Sequence, residues 1–396
     1  MTSLALAVVL LGLGAGPTEA PGGEALVARF ECNRCHEGGG LAPVTADKAC
    51  VGCHAAIHAG TFGAPADALH HWQKNIVDLV AVPSLASIGR RLERRWVRDF
   101  MLQPHDLRPQ LSAMMPRFAM SEAEADAIAA WLVPEARPAD DATRWLSWPS
   151  RGRRVIEQRA CGTCHTMTGA EPLPVGVVKS GGKELEPAAL SLGILLAPDL
   201  RHVRERFQRE ALVAWLRDPP AQKPGTPMPN LGLSRAEAED VAAWLLETPL
   251  AAPPSTPVPA RLPVLERRVG FAEVSQRVFR RLCWHCHSEP DLALGDGGPG
   301  NTGGFGFAGR KVNLRDYESI TAGGLDDQGR RKSLFRVIEG GPLAGTPKLL
   351  AHVLARQLEV AGTIVPGVRG MPLGLPPIPP EDIQLLESWI AQGRPE

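Results

Sequence analysis

All eight cysteines of this 396-residue chain fall into four copies of Cys-x-x-Cys, and each copy is followed at once by histidine. The copies are Cys32-Asn-Arg-Cys35-His36, Cys50-Val-Gly-Cys53-His54, Cys161-Gly-Thr-Cys164-His165 and Cys283-Trp-His-Cys286-His287. No cysteine is left for a structural disulfide or a free thiol. Three ordinary uses of cysteine compete for this pattern. Cys32/Cys35 with Cys50/Cys53 has the spacing of a four-cysteine zinc ribbon, but the motifs at Cys161 and Cys283 have no second pair nearby. A dithiol redox centre calls for a strand-to-helix context, and none is legible. Paired disulfides leave the four adjacent histidines unexplained.

Cys-x-x-Cys-His is the attachment signature of c-type haem. Two thiols one helical turn apart can each add to a vinyl group of one porphyrin, and the adjacent imidazole then meets the iron. The protein keeps control through the sixth ligand, burial and hydrogen bonding. Four motifs imply four haem c groups, with His36, His54, His165 and His287 as the proximal iron ligands.

A repeat accompanies the motifs. Residues 111–133 and 224–246 share Met-Pro, a Ser six residues after the Met, a Glu three further on, and Trp-Leu. Met115 to Trp131 and Met228 to Trp244 are both sixteen residues. A looser copy runs from Met371-Pro372 through Pro379-Pro380 to Trp389. Ser121 with Glu124, and Ser234 with Glu237, read as capping boxes starting Ala-rich helices; Pro379 and Pro380 start the third, since proline is tolerated in a first helical turn. Short helices are expected ahead of three motifs, over 23–30, 152–159 and 271–282.

Each unit therefore reads helix, haem-binding turn, irregular middle, Met loop, helix, and so resembles a class I cytochrome c. The resemblance implies a mainly α fold of three tandem helical domains with little β structure: a dihaem domain over 21–140, and monohaem domains over 145–250 and 264–396. A proline-rich linker, 251–263, is expected to be semi-rigid and extended. Pro134 to Pro149 divides the first two units. In the family the Met thioether is the sixth ligand, which implies Met115, Met228 and Met371; soft sulfur suits ferrous iron and raises the potential relative to two histidines. The plainer reading of these methionines is core filling. Met114 rivals Met115, and His352 rivals Met371, because the third unit's middle, with its glycine-rich stretch 295–309, departs from the family pattern.

Which N-terminal haem takes Met115 is less direct. The 61 residues from His54 to Met115 match the 63 from His165 to Met228, yet only Cys32 has a helix leading into it, and the helix carries more weight. The haem at Cys50 then needs another ligand, with His70 and His71 foremost and His58 and His105 behind.

The apolar run 4–16 is too short for a membrane span and suits a secretory signal over 1–20, which places the chain in the periplasm or outside the cell. Net charge is zero, so nothing argues for nucleic acid or an anionic membrane. The expected activity is electron transfer between a donor and an acceptor protein. A haem enzyme of the peroxidase type, a cytochrome subunit of a larger respiratory complex, and an extracellular cytochrome filament are the alternatives.

Overall fold

The computed structural model describes residues 21–45, 48–76, 82–86, 88–105, 107–111, 115–134, 148–288, 305 and 309–396. The signal segment, Met114, and most of 134–149 and of 295–309 lie outside the described residues. What is described is mainly α. Helices α1 (Gly23–Arg29), α2 (Cys50–His58), α3 (Ala66–Asn75), α4 (Arg94–Leu102) and α5 (Glu122–Leu132) come first. Then follow α6 (Pro149–Gln158), α7 (Pro187–Leu196), α8 (Val203–Arg206), α9 (Arg209–Arg217), α10 (Pro219–Gln222) and α11 (Arg235–Glu247). The chain closes with α12 (Phe271–Val274), α13 (Tyr317–Ala322), α14 (Lys348–Val360) and α15 (Pro380–Ala391). Two antiparallel ribbons, Lys179–Ser180 with Lys183–Glu184 and Gly324–Leu325 with Arg331–Lys332, supply the strand content among the described residues. No described helix is long and apolar enough to cross a membrane.

The helix starts follow the side chains written at them. Ser121 accepts from the Glu124 amide while Glu124 reaches back to the Ser121 amide, and Ser234 with Glu237 repeats the box. Each satisfies two orphan amides of a first turn. The same glutamates then receive an arginine from the helix ahead of the haem motif: Arg29 pairs with Glu124, and Arg159 with Glu237 at 2.9 Å. The first and last helices of each repeat are thereby tied at their ends. Pro380 occupies the first turn of α15.

Apolar side chains gather in three clusters. Leu26, Val27 and Phe30 of α1 pack with Ala125, Ile128 and Ala129 of α5, beside Val97 and Met101 of α4. Val155 and Ile156 of α6 pack with Val241 and Leu245 of α11, beside Leu212 and Leu216 of α9. Val274, Val278 and Phe279 pack with Ile383, Leu386 and Trp389 of α15, beside Leu350 and Leu354 of α14. Each large side chain so buried contributes about 1.5–3 kcal/mol.

The first two clusters are built on one plan. Gly23 and Gly152 each lie nine residues before the first cysteine of their motif. A Cβ on Gly23 would stand 2.4 Å from the Ala127 carbonyl and from Trp131 Cβ; one on Gly152 would stand 2.1 Å from the Asp240 carbonyl and 2.7 Å from Trp244 Cβ. Absence of a side chain is what lets the two helices cross there. The third unit differs: α12 runs on as a wide π-helical stretch, Ser275–Cys283, that carries the chain into the motif itself. The helix expected over 271–282 is thus present but underwound, with Phe271 and Phe279 set against Trp389 at ring separations of 5.9 and 6.3 Å.

The first two units join by a local pseudo-twofold. The Glu93 amide donates to the Arg206 carbonyl at 2.8 Å, the Gln208 amide donates to the Arg91 carbonyl at 3.4 Å, and Leu92 and Phe207 form the bridge between. Glu93 and Gln208 are the N-caps of α4 and α9, so equivalent positions exchange equivalent bonds. Arg91 then lies over Trp215 and Arg206 over Trp96, 5.7 and 5.0 Å from the ring centres. The third unit meets the first through Glu359, 7% exposed, which pairs with Arg117 at 3.1 Å, and through Phe305, whose ring lies tilted against Phe118 and under Arg34.

Candidate haem-binding sites

Two of the motifs share one backbone device. The residue ahead of the first cysteine, Glu31 or Ala160, adopts the left-handed conformation (φ 51° and 52°). A single tight turn follows, Cys32–Arg34 or Cys161–Thr163. The histidine amide then donates back to the first cysteine's carbonyl, at 2.9 Å for His36 and 3.0 Å for His165. This closes the backbone into a single tight loop that holds the two cysteines and the histidine together. At the fourth motif the His287 amide donates to the Cys283 carbonyl at 2.8 Å. The second motif lies wholly on α2, with no helix leading into it.

The imidazoles are oriented for metal. His36 Nδ1 stands 2.8 Å from the Pro83 carbonyl and His165 Nδ1 stands 2.9 Å from the Pro198 carbonyl. A carbonyl only accepts, so Nδ1 carries the proton and donates. The lone pair is left on Nε2, the arrangement by which proteins fix a ligating histidine. Burial pushes the pKa of both rings below the ordinary value, which favours the neutral, ligating form. All eight cysteines are unbonded to one another. Burial pushes the Cys32 and Cys161 thiols up to about 11 and the Cys283 thiol up to about 12.

The methionine and histidine candidates are placed unequally. Met228 Sδ accepts a hydrogen bond from Trp215 Nε1 at 3.1 Å. Met115 packs against the same N-terminal cluster as Cys32, the pairing that the helix ahead of Cys32 suggests. The Met371 amide donates to the His352 carbonyl at 2.8 Å. His352 itself, on α14, has Nδ1 2.7 Å from the Arg369 carbonyl, repeating the geometry of His36 and His165, and the charge of His287 acts on it. His70 and His71 lie exposed on α3, and His58 lies exposed at the end of α2. His105 is exposed, with its ring 5.1 Å from that of His202.

Three of the four motifs converge. Cys35 and Cys50 share a side-chain hydrogen bond, which raises the pKa of the Cys35 thiol and lowers that of Cys50 to about 7. Burial pushes the Cys286 thiol up to about 11, and the charges of Cys50 and Arg34 act on it. The rings of His54 and His285 stand 6.1 Å apart. Burial, then the charge of His54, pushes the pKa of His285 down to about 4. His285 was invisible as a functional candidate in the sequence because it occupies a spacer position of a motif. Among the described residues no group of three or more His, Cys, Asp or Glu is arranged to hold a metal ion by itself.

The electrostatics leave room for an anion. Arg91 is buried and Arg206 half-buried, and the buried Nε of each lacks a hydrogen-bond partner. Burial, then the charges of Arg91 and Arg108, pushes Arg206 down to about 10. A buried guanidinium nitrogen without an acceptor is costly. Haem c carries two propionate carboxylates, and these arginines fit that group. An open cavity of about 790 Å³ lies elsewhere, between Trp131 and α9, and no motif residue lines it.

At His36 and His165 the site comprises an attachment turn and an imidazole held by a backbone carbonyl. The family model for cytochrome c matches residues 149–249. That segment holds α6, the Cys161 motif, the Met228 loop and α11, so the chain carries a cytochrome c domain with covalently bound haem c, of the kind that serves electron transfer with redox protein partners. Searches of curated proteins and of solved structures returned no match.

Proposed function

We propose that the chain is a tetrahaem c-type cytochrome, built from three cytochrome c-like units, that passes electrons between a donor and an acceptor protein outside the cytoplasm. The observation that carries this reading is the meeting of Cys35, Cys50 and Cys286. With haem attached, these sulfurs become thioether edges of three different porphyrins, so the electron path between them is short. The Arg91–Arg206 contact joins the first unit to the middle one, and would carry propionates of the haems at Cys32 and Cys161. The haem iron supplies the one-electron chemistry; the chain holds it, orients it and excludes water.

Met115 and Met228 serve as sixth ligands in the first two units. In the third, Met371 holds the place given by the repeat. A second reading is favoured by the anchored Nδ1 of His352, which frees its Nε2 beside His287. Spectra of the purified protein separate the two: three Met–iron charge-transfer bands with Met371, two with His352. Pyridine haemochrome counting with intact mass tests the whole proposal. Fewer than four haems per chain, with bound zinc, would overturn it for the N-terminal pair.

A further inference from the structure

We infer that His285, a spacer residue of the third unit's motif, is the sixth ligand of the haem attached at Cys50 and Cys53, opposite His54. The inference rests on the tetrahaem reading and deepens it at the haem for which the sequence offers no Met-Pro loop.

The ring separation is the one that two imidazoles flanking a single metal would have. With a metal–nitrogen bond of about 2 Å on each side, coaxial rings have centres roughly 6 Å apart; the His54 and His285 rings stand 6.1 Å apart. Their interplanar angle of 61° is no obstacle, since each ring turns freely about the shared nitrogen–metal axis. His105 and His202, at 5.1 Å, are too close to admit an iron and its two bonds between them. The surroundings agree. His285 and Cys286 both keep exposed surface, and the charged groups acting on them are His54, and Cys50 with Arg34, of the first unit. His285 stands two residues before His287; the His287 amide donates to the Cys283 carbonyl, and of the two spacers Trp284 packs on the third unit's core and donates to the Leu314 carbonyl while His285 is exposed. His70 and His71 lie on α3 and are exposed as well; the ring that stands 6.1 Å from that of His54 is His285.

Two consequences follow. Two nitrogen ligands make this haem lower in potential than a neighbour with a Met ligand. And its sixth ligand comes from another unit, so the first and third units must be docked for the iron to be six-coordinate.

The test uses the full-length protein with its haems, as wild type, His285→Ala and His285→Asn, and with His70→Ala and His71→Ala for comparison. Intact mass first gives the haem count. Fewer than four haems in the wild type defeats the tetrahaem reading; four haems leaves the ligand question to spectroscopy. Electron paramagnetic resonance of the oxidised protein is expected to show one of four haems turning high-spin in both His285 variants, and added imidazole is expected to return it to low-spin. A merely structural role for His285 would not be rescued by imidazole. An unchanged low-spin spectrum in the His285 variants, or the high-spin change appearing instead in the His70 or His71 variant, overturns the inference.

Discussion

Gly152→Ala tests the crossing on which the middle unit is built. The new Cβ would meet the Asp240 carbonyl at 2.1 Å and Trp244 Cβ at 2.7 Å. Both contacts belong to the backbone or the root of a side chain, so neither can rotate away, and α6 and α11 must part by more than 1 Å to reach ordinary contact. Overpacking of this kind costs about 1–3 kcal/mol, here toward the upper end. Alanine returns about 1 kcal/mol through helix propensity. The net loss is about 1–2 kcal/mol, or a fall of roughly 5–10 °C in the midpoint of a unit of this size. Far-UV circular dichroism melts of the haem-loaded protein read it, with the Met–iron band reporting whether the Met228 loop has shifted. Gly340→Ala is the control, since nothing lies within 4 Å of its Cβ, and a change within about 0.5 kcal/mol is expected. A Gly152→Ala midpoint equal to or above the wild type would show that propensity alone acts there, and the close crossing would be refuted.

Further outcomes are expected elsewhere. Glu359→Ala removes the buried carboxylate that holds Arg117, Arg356 and the Gly370 amide, and should cost about 3 kcal/mol in urea unfolding, with Glu359→Gln costing less. The carboxyls of Glu124 and Glu237 are held below the ordinary value of 4.5, first by the amides they cap and then by Arg29 and Arg159. Their contribution is therefore complete above pH 4.5 and drains away as pH falls through the lower folded value; acid titration of Glu124→Gln/Glu237→Gln should show a shallower loss over that window. Trp215→Phe removes the hydrogen bond to Met228 Sδ, making the sulfur a better donor to ferric iron. A redox titration should find one haem lowered by about 20–60 mV, the equivalent of about 0.5–1.5 kcal/mol.

Much of the local architecture was legible because it depends on near neighbours. The attachment turns need only cysteine, cysteine and histidine at fixed spacing, and the capping boxes need only Ser and Glu three apart; both motif turns and both boxes stand where their residues are written. Helical periodicity likewise announced α1, α5, α6 and α11. The spacing left the irregular middles unread, and these contain α3, α4, α7 to α10, α13 and α14. Short helices of this kind are decided by what they pack on, and their own propensity is weak. The π-helical run into Cys283 had no sequence signal for the same reason.

The sequence by itself carries four Cys-x-x-Cys-His motifs and a helical repeat around them. Tertiary structure decided which of these meet. Arg91 faces Trp215, Glu359 faces Arg117, and His54 faces His285 across separations of more than a hundred residues. Such pairs depend on how units dock, through burial and exchanged backbone bonds at Leu92 and Phe207, and no local pattern encodes that. A spacer residue in one motif can thereby stand opposite the histidine of another.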